Sequence, residues 1–210
     1  MHLSRIQINP ARRGGRRLLG SPQAMHAAVL ASFPEGDDDR GRVLWRVDRD
    51  QHRTWLYVVS RPVPDFGHIV EQAGWQTRED NWAVRPYERL LDRLAVGQTW
   101  AFRVTANPSH AHEGKRYGHV TVAQQEEWLL GRAAGWGFDV TGTGGTKNLV
   151  VSDRRVEQFR RESATVTITK ATYDGVLTVL DPVALRTVLT SGAGPAKGYG
   201  CGLLTLAAVG

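Results

Sequence analysis

Residues 43–60 read VLWRVDRDQHRTWLYVVS. Two runs rich in β-branched and aromatic residues, Val43–Asp48 and Thr54–Ser60, flank the polar segment Arg49–Arg53, the pattern of a β-hairpin. Its surroundings fix the order of elements. Upstream, Leu3–Ile8 reads as a short strand. Ser21 followed by Pro22 reads as an N-cap with proline at the first helical position, opening a helix that runs to about Ser32 and stops before Pro34. Downstream, Pro62 and Pro64 break the chain, Phe66–Ala73 reads as a short helix, and Gln76–Val84 as a closing strand. The order is β-α-β-β-α-β.

The same order returns after a linker with helical tendency, Pro86–Ala95. Thr99–Ala106 alternates Trp100, Phe102 and Val104 with Arg103 and Thr105, as a half-buried strand does. Val122–Ala134 reads as a helix. Phe138–Thr141, Leu149–Phe159 and Thr165–Leu180 supply strands, with a hairpin tip expected around Arg154–Glu162. Asp181 and Pro182 open a short helix to Thr190, and Leu203–Val209 closes the chain. The expected fold class is therefore α+β, two tandem ferredoxin-like (RRM-like, βαββαβ) domains, over residues 1–88 and 97–210.

At 210 residues the chain is long enough for two such units without disulfide or metal staples. No run approaches the roughly 18 apolar residues of a membrane span, and Met1–Gly20 lacks a secretory apolar core. The single cysteine, Cys201, leaves no intramolecular disulfide and fits a reducing compartment. These readings point to a cytoplasmic protein that does not engage membranes.

The net charge is +6 and comes from 23 arginines with only four lysines. GC-rich codon usage accounts for such a bias as readily as a polyanionic partner does. The clustering favours the partner. Arg12, Arg13, Arg16 and Arg17 crowd an expected basic loop, and Arg154, Arg155, Arg160 and Arg161 crowd the expected hairpin. Guanidinium forks pair with phosphate oxygens and stack on bases, so a nucleic acid leads.

Gly192–Leu204 places five glycines around Lys197 and Tyr199. The segment lacks the strand–GxGxxG–helix order of a dinucleotide site, and Lys197 is followed by glycine, so it is no P-loop. Two readings stand: a flexible turn, or backbone amides brought close to a phosphate chain. Tyr199 is either a turn aromatic or a base-stacking ring. His110, His112 and His119 lie near one another, but with no cysteine and only Glu113 beside them no metal site is expected. No cofactor is expected either.

Four segments together resemble the CasE-type CRISPR repeat endoribonucleases, the RNA-processing subunits of the type I-E Cascade complex. They are Met1–Ile6, the Met25-His26 segment running to Phe33-Pro34, the strand Phe102–Pro108, and the tail Gly194–Leu204. They fall in the family's order across residues 1 to 206. The resemblance implies metal-independent cleavage of a CRISPR repeat RNA hairpin and retention of the product. It also implies assembly with other Cascade subunits. His26 matches the catalytic histidine, whose near-neutral pKa suits it to give or take a proton. On the bare sequence His26 also fits simple packing, since Leu30 and Phe33 share its helical face. The resemblance further assigns RNA contact to Arg160 and Arg161, and places Gly194 and Lys197 at backbone phosphates.

One residue departs from the family's pattern. Members often carry a tyrosine three residues before the histidine, where this chain has Gln23, which can hydrogen-bond RNA but cannot transfer a proton at neutral pH. A non-catalytic repeat-RNA binder and a purely structural ribonucleoprotein subunit are therefore the rival readings.

Overall fold

The structure is a computed structural model that describes residues 1–209 except 35–40, 76, 78–80, 143–144 and 162–163. The chain forms two compact units, Met1–Asp92 with Lys197–Gly200, and Arg93–Ala196 with Cys201–Gly210. The expected second domain of 97–210 is thus interrupted: four residues of the glycine-rich tail fold with the first unit.

The first unit contains β1 (His2–Ile8), α1 (Arg13–Gly20), α2 (Pro22–Leu30), β2 (Leu44–Arg49), β3 (Thr54–Ser60), α3 (Gly67–Ala73), β4 (Trp82–Pro86) and the short α4 (Glu88–Leu91). Its four strands lie in the antiparallel order β2-β3-β1-β4, the ferredoxin-like arrangement. Ile6 and Ile8 of β1, Leu56 and Val58 of β3, Met25 and Val29 of α2, and Phe66 and Ile69 beside or within α3 form one buried cluster. α2 begins as its sequence demands, with Pro22 in the first turn and Ser21 Oγ accepting from the Ala24 amide at 3.2 Å.

Two expectations change here. The basic segment Arg12–Arg17 is not a loop, for α1 starts at Arg13. Its glycines mislead as breakers, because they serve close approach instead. A Cβ on Gly14 would lie 2.1 Å from the Gln72 carbonyl oxygen of α3, and one on Gly15 would lie 1.9 Å from the Asn9 carbonyl oxygen. The closing strand is β4 at Trp82–Pro86 rather than Gln76–Val84. Asn81 precedes it, buried, accepting from the Trp75 amide and donating to the Trp75 carbonyl. Gln76 and Arg78–Asp80 lie outside the described residues.

The second unit contains β5 (Thr99–Ala106), β6 (Ser109–His112), β7 (Lys115–Gly118), α5 (Val122–Ala133), β8 (Phe138–Asp139), β9 (Leu149–Arg161), β10 (Ala164–Val179), α6 (Pro182–Ser191) and β11 (Leu204–Ala207). Its main sheet runs β11-β5-β10, with β9 and the short β8 both pairing with β10. That repeats the ferredoxin-like order, with β5, β9, β10 and β11 as the four strands. α5 carries a reciprocal capping box between Thr121 and Gln124, and α6 is capped by Asp181, whose carboxylate accepts from the Val183 and Ala184 amides. The hairpin expected around His110–His119 is β6–β7, whose strand bounds the sequence does not mark. Four residues per strand, mostly polar, give too short a pattern to read.

Candidate active site

α2 projects His26 from its second turn, half-buried. The Trp45 indole N–H of β2 donates to His26 Nδ1 at 3.3 Å. The other ring nitrogen faces the glycine-rich tail, where a Cβ on Gly198 would sit 3.5 Å from Nε2. His26, Leu30, Gly41, Arg42, Val43 and Gly198 line a cleft of about 290 Å³. Lys197 adjoins it. Burial, and then the positive charge of Arg42, hold the Lys197 ammonium below the ordinary lysine range. An anion beside these two cations would offset their repulsion.

The hydrogen bond constrains the tautomer of the neutral ring. An indole N–H can only donate, so Nδ1 is the acceptor and the neutral ring carries its proton on Nε2. The cleft is therefore offered an N–H, a donor for a phosphoryl or leaving-group oxygen. A bare Nε2 able to take a hydroxyl proton belongs to the other tautomer, which would set two N–H groups against each other at Trp45.

Gln23 lies half-buried in the first turn of α2. The other sequence-selected residues divide sharply. Arg12 is spent inside the fold: its guanidinium donates to the carbonyls of Val70, Glu71 and Gly74, at 3.3, 2.6 and 3.0 Å, closing the C-terminal end of α3. Arg16 donates to the Ala11 carbonyl but is exposed, as are Arg13 and Arg17. Tyr199 is half-buried and, like Lys197, belongs to the tail residues that fold with the first unit.

In the second unit, Arg154 donates to Gln125 Oε1 at 2.8 Å and to the Val120 carbonyl. Arg155 pairs with Asp153 and with Glu157, the latter at 2.8 Å, and Glu157 also binds the buried Lys170 at 2.7 Å. Burial works against the Arg155 charge, yet these carboxylates hold the guanidinium more firmly protonated than usual. Arg160 is exposed on β9 opposite Thr165. Arg161 ends β9, while its side chain and the expected tip residue Glu162 lie outside the described residues. Gly194, at φ 70°, backs the Trp128 ring: a Cβ there would lie 3.0 Å from it.

His110 and Tyr117 on the exposed β6–β7 hairpin and the half-buried His119 just after it form a row of rings, with centroids 5.0 Å apart for the histidine pair and 5.8 Å for His110 and Tyr117. Sequence reasoning missed Trp45 and Arg42. Neither has a local signal, because an indole in an apolar strand reads as core, and its hydrogen bond exists only once β2 packs on α2.

The chain matches the family model described as CRISPR associated protein over residues 1–208. It is 29% identical over 219 residues to the CRISPR-associated endoribonuclease Cse3 of Thermus thermophilus, covering 99% of this chain and 100% of that protein. It is 27% identical over 224 residues to the CRISPR system Cascade subunit CasE of Escherichia coli, covering 99% of each. The structure of Thermus thermophilus Cse3 bound to an RNA representing a pre-cleavage complex superposes with a TM-score of 0.82 at 27% identity, covering 98% of both chains.

Proposed function

The chain belongs to the CRISPR associated protein family, and from that premise we propose that it is an endoribonuclease that cleaves the hairpin of CRISPR repeat RNA and keeps its product. It works in the cytoplasm as a subunit of a Cascade complex, in keeping with its likeness to Cse3 and CasE. Among the described residues no helix is long and apolar enough to cross a membrane.

The observation that carries the reading is the placement of His26 Nε2 beside Gly198, in a cleft also lined by Arg42. In the proposed reaction the RNA 2′-hydroxyl gives up its proton to water as its oxygen attacks the adjacent phosphorus. The bond to the 5′-oxygen then breaks and that oxygen, hydrogen-bonded in the cleft, takes a proton from water. The products are a 2′,3′-cyclic phosphate and a 5′-hydroxyl. Charge gathers on the phosphoryl oxygens on the way, and preorganised donors lower its cost. His26 Nε2–H serves as donor to the phosphate or its leaving oxygen, and Arg42 and Lys197 supply positive charge. Arg160 and Arg161 are the residues that contact the RNA stem in this reading, Arg160 being exposed on β9. A-form RNA hides its base edges, so the hairpin is chosen by shape, phosphates and flanking single strand.

A second reading, a repeat-RNA binder that does not cut, is favoured by Gln23, which cannot move a proton at neutral pH. Incubating the protein with its repeat RNA in EDTA and analysing the ends separates the two. Cleavage to a 2′,3′-cyclic phosphate and a 5′-hydroxyl is expected. Tight binding with intact RNA selects the non-cutting binder, and loss of cleavage restored by added metal contradicts the route through the 2′-hydroxyl alone.

A further inference from the structure

We propose that Trp45 is a positioning residue for His26, and that Gly200 of the glycine-rich tail holds Trp45 in place. The inference rests on the reading that His26 acts on RNA. Trp45 is 3% exposed. A buried indole N–H needs an acceptor, since leaving it unmatched carries the full cost of its desolvation. His26 Nδ1 is that acceptor. The bond therefore works in both directions: it satisfies the indole, and it resists any rotation or tautomer change that takes Nδ1 away. The reactive face of the ring, Nε2–H, is thereby kept toward Gly198 and the cleft.

Gly200 supplies the other half of the device. It is buried and has φ of 80°, a region that side chains with a Cβ rarely adopt. A Cβ there would meet Trp45 Cζ3 at 2.6 Å and Cη2 at 2.9 Å. Only glycine lets the chain run flat along the indole. This assigns the tail two tasks a few residues apart: Gly198 leaves room beside the imidazole, and Gly200 backs the tryptophan that aims it. The short turn Lys197–Gly200 belongs to the first unit, where Gly198 lines the cleft beside His26.

The test reads the ring directly. In ¹⁵N NMR of the wild-type protein with labelled histidine, the His26 signals, assigned by their loss in His26→Ala, are expected to show a protonated Nε2 and a bare Nδ1 in the neutral form. The opposite tautomer overturns the proposal without any Trp45 variant having to fold. Trp45→Phe keeps a flat ring against Gly200 and removes only the donor. It is expected to slow single-turnover cleavage of repeat RNA about tenfold, the order of loss that small misplacements of a reacting group produce. Its RNA Kd should stay within about twofold, because Trp45 sits behind the imidazole rather than in the cleft. An unchanged rate with a loss-of-donor spectrum overturns the positioning role. His26→Ala run beside it keeps the two ideas apart: if it cuts as fast as wild type, the functional reading falls, whereas a dead His26→Ala with a fully active Trp45→Phe sinks the Trp45 proposal alone.

Discussion

Gly194 and Gly200 sit six positions apart in one glycine-rich segment, both at positive φ and both against a tryptophan ring, yet they serve different ends. Gly194 backs Trp128, whose indole N–H donates to the Ser109 carbonyl at 3.2 Å, with the Arg132 guanidinium 4.7 Å from its ring centre. Gly200 backs Trp45, whose indole donates to His26. The packing device is the same, and the acceptor differs. A backbone carbonyl has no second protonation state, so the Trp128 bond ties α5 to β6 without selecting a tautomer. An imidazole has two tautomers, so the Trp45 bond selects which nitrogen faces the cleft.

The sharpest way to break that comparison is to treat both tryptophans alike. Trp128→Phe removes the same N–H as Trp45→Phe, leaving the Ser109 carbonyl without it. It should cost about 1–3 kcal/mol of stability in a denaturant titration and leave cleavage per folded molecule unchanged. Should Trp128→Phe slow cleavage as much as Trp45→Phe, the distinction drawn between the two acceptors fails.

The arginines extend the comparison to charge. Arg12 crosslinks the end of α3 through three carbonyls, whereas Arg160 is exposed on β9. Arg12→Ala is expected to lower the unfolding free energy by about 1–3 kcal/mol, as charged hydrogen bonds warrant, with RNA affinity intact. Arg160→Ala should do the reverse, leaving the melting curve in place. It should weaken RNA binding and reduce the slope of log K against log salt by about one. An RNA defect in Arg12→Ala at full stability would return that residue to the interface.

The smallest effect concerns Cys201. Burial pushes its thiol from 9.0 up to about 11. The folded state thus favours the protonated form, a contribution fully present below pH 9 and lost as the pH climbs through about 11. Iodoacetamide should label the native protein at pH 9 far more slowly than the denatured chain, and rapid labelling would contradict the burial.

How much of this was legible beforehand follows from which signals are local. β3 and β5 fall on their expected residues, Thr54–Ser60 and Thr99–Ala106, because alternation and β-branching are written into the strands themselves. Ser21-Pro22 and Asp181-Pro182 open helices as expected, since capping needs only neighbours in sequence. α1 is hidden by its glycines, of which Gly14 answers to the backbone of α3 some 60 residues away and Gly15 to the Asn9 carbonyl just upstream. The site divides the same way. His26 is a candidate through the resemblance of its surroundings, whereas Trp45 and Arg42 carry no such signal, since a β2 indole and a lone cation gain meaning only from the folded cleft. Arg12 and Arg155 were credited to RNA because clustering reports charge and not partners; the carbonyls and carboxylates that occupy them come from the fold.

The measurement that bears most directly on the account is single-turnover cleavage and binding of the repeat hairpin by wild type and His26→Ala in EDTA. Loss of a preorganised hydrogen-bond donor at the phosphate predicts a fall of at least about a hundredfold in rate, with Kd unchanged within about twofold. Cleavage by His26→Ala at the wild-type rate would contradict it.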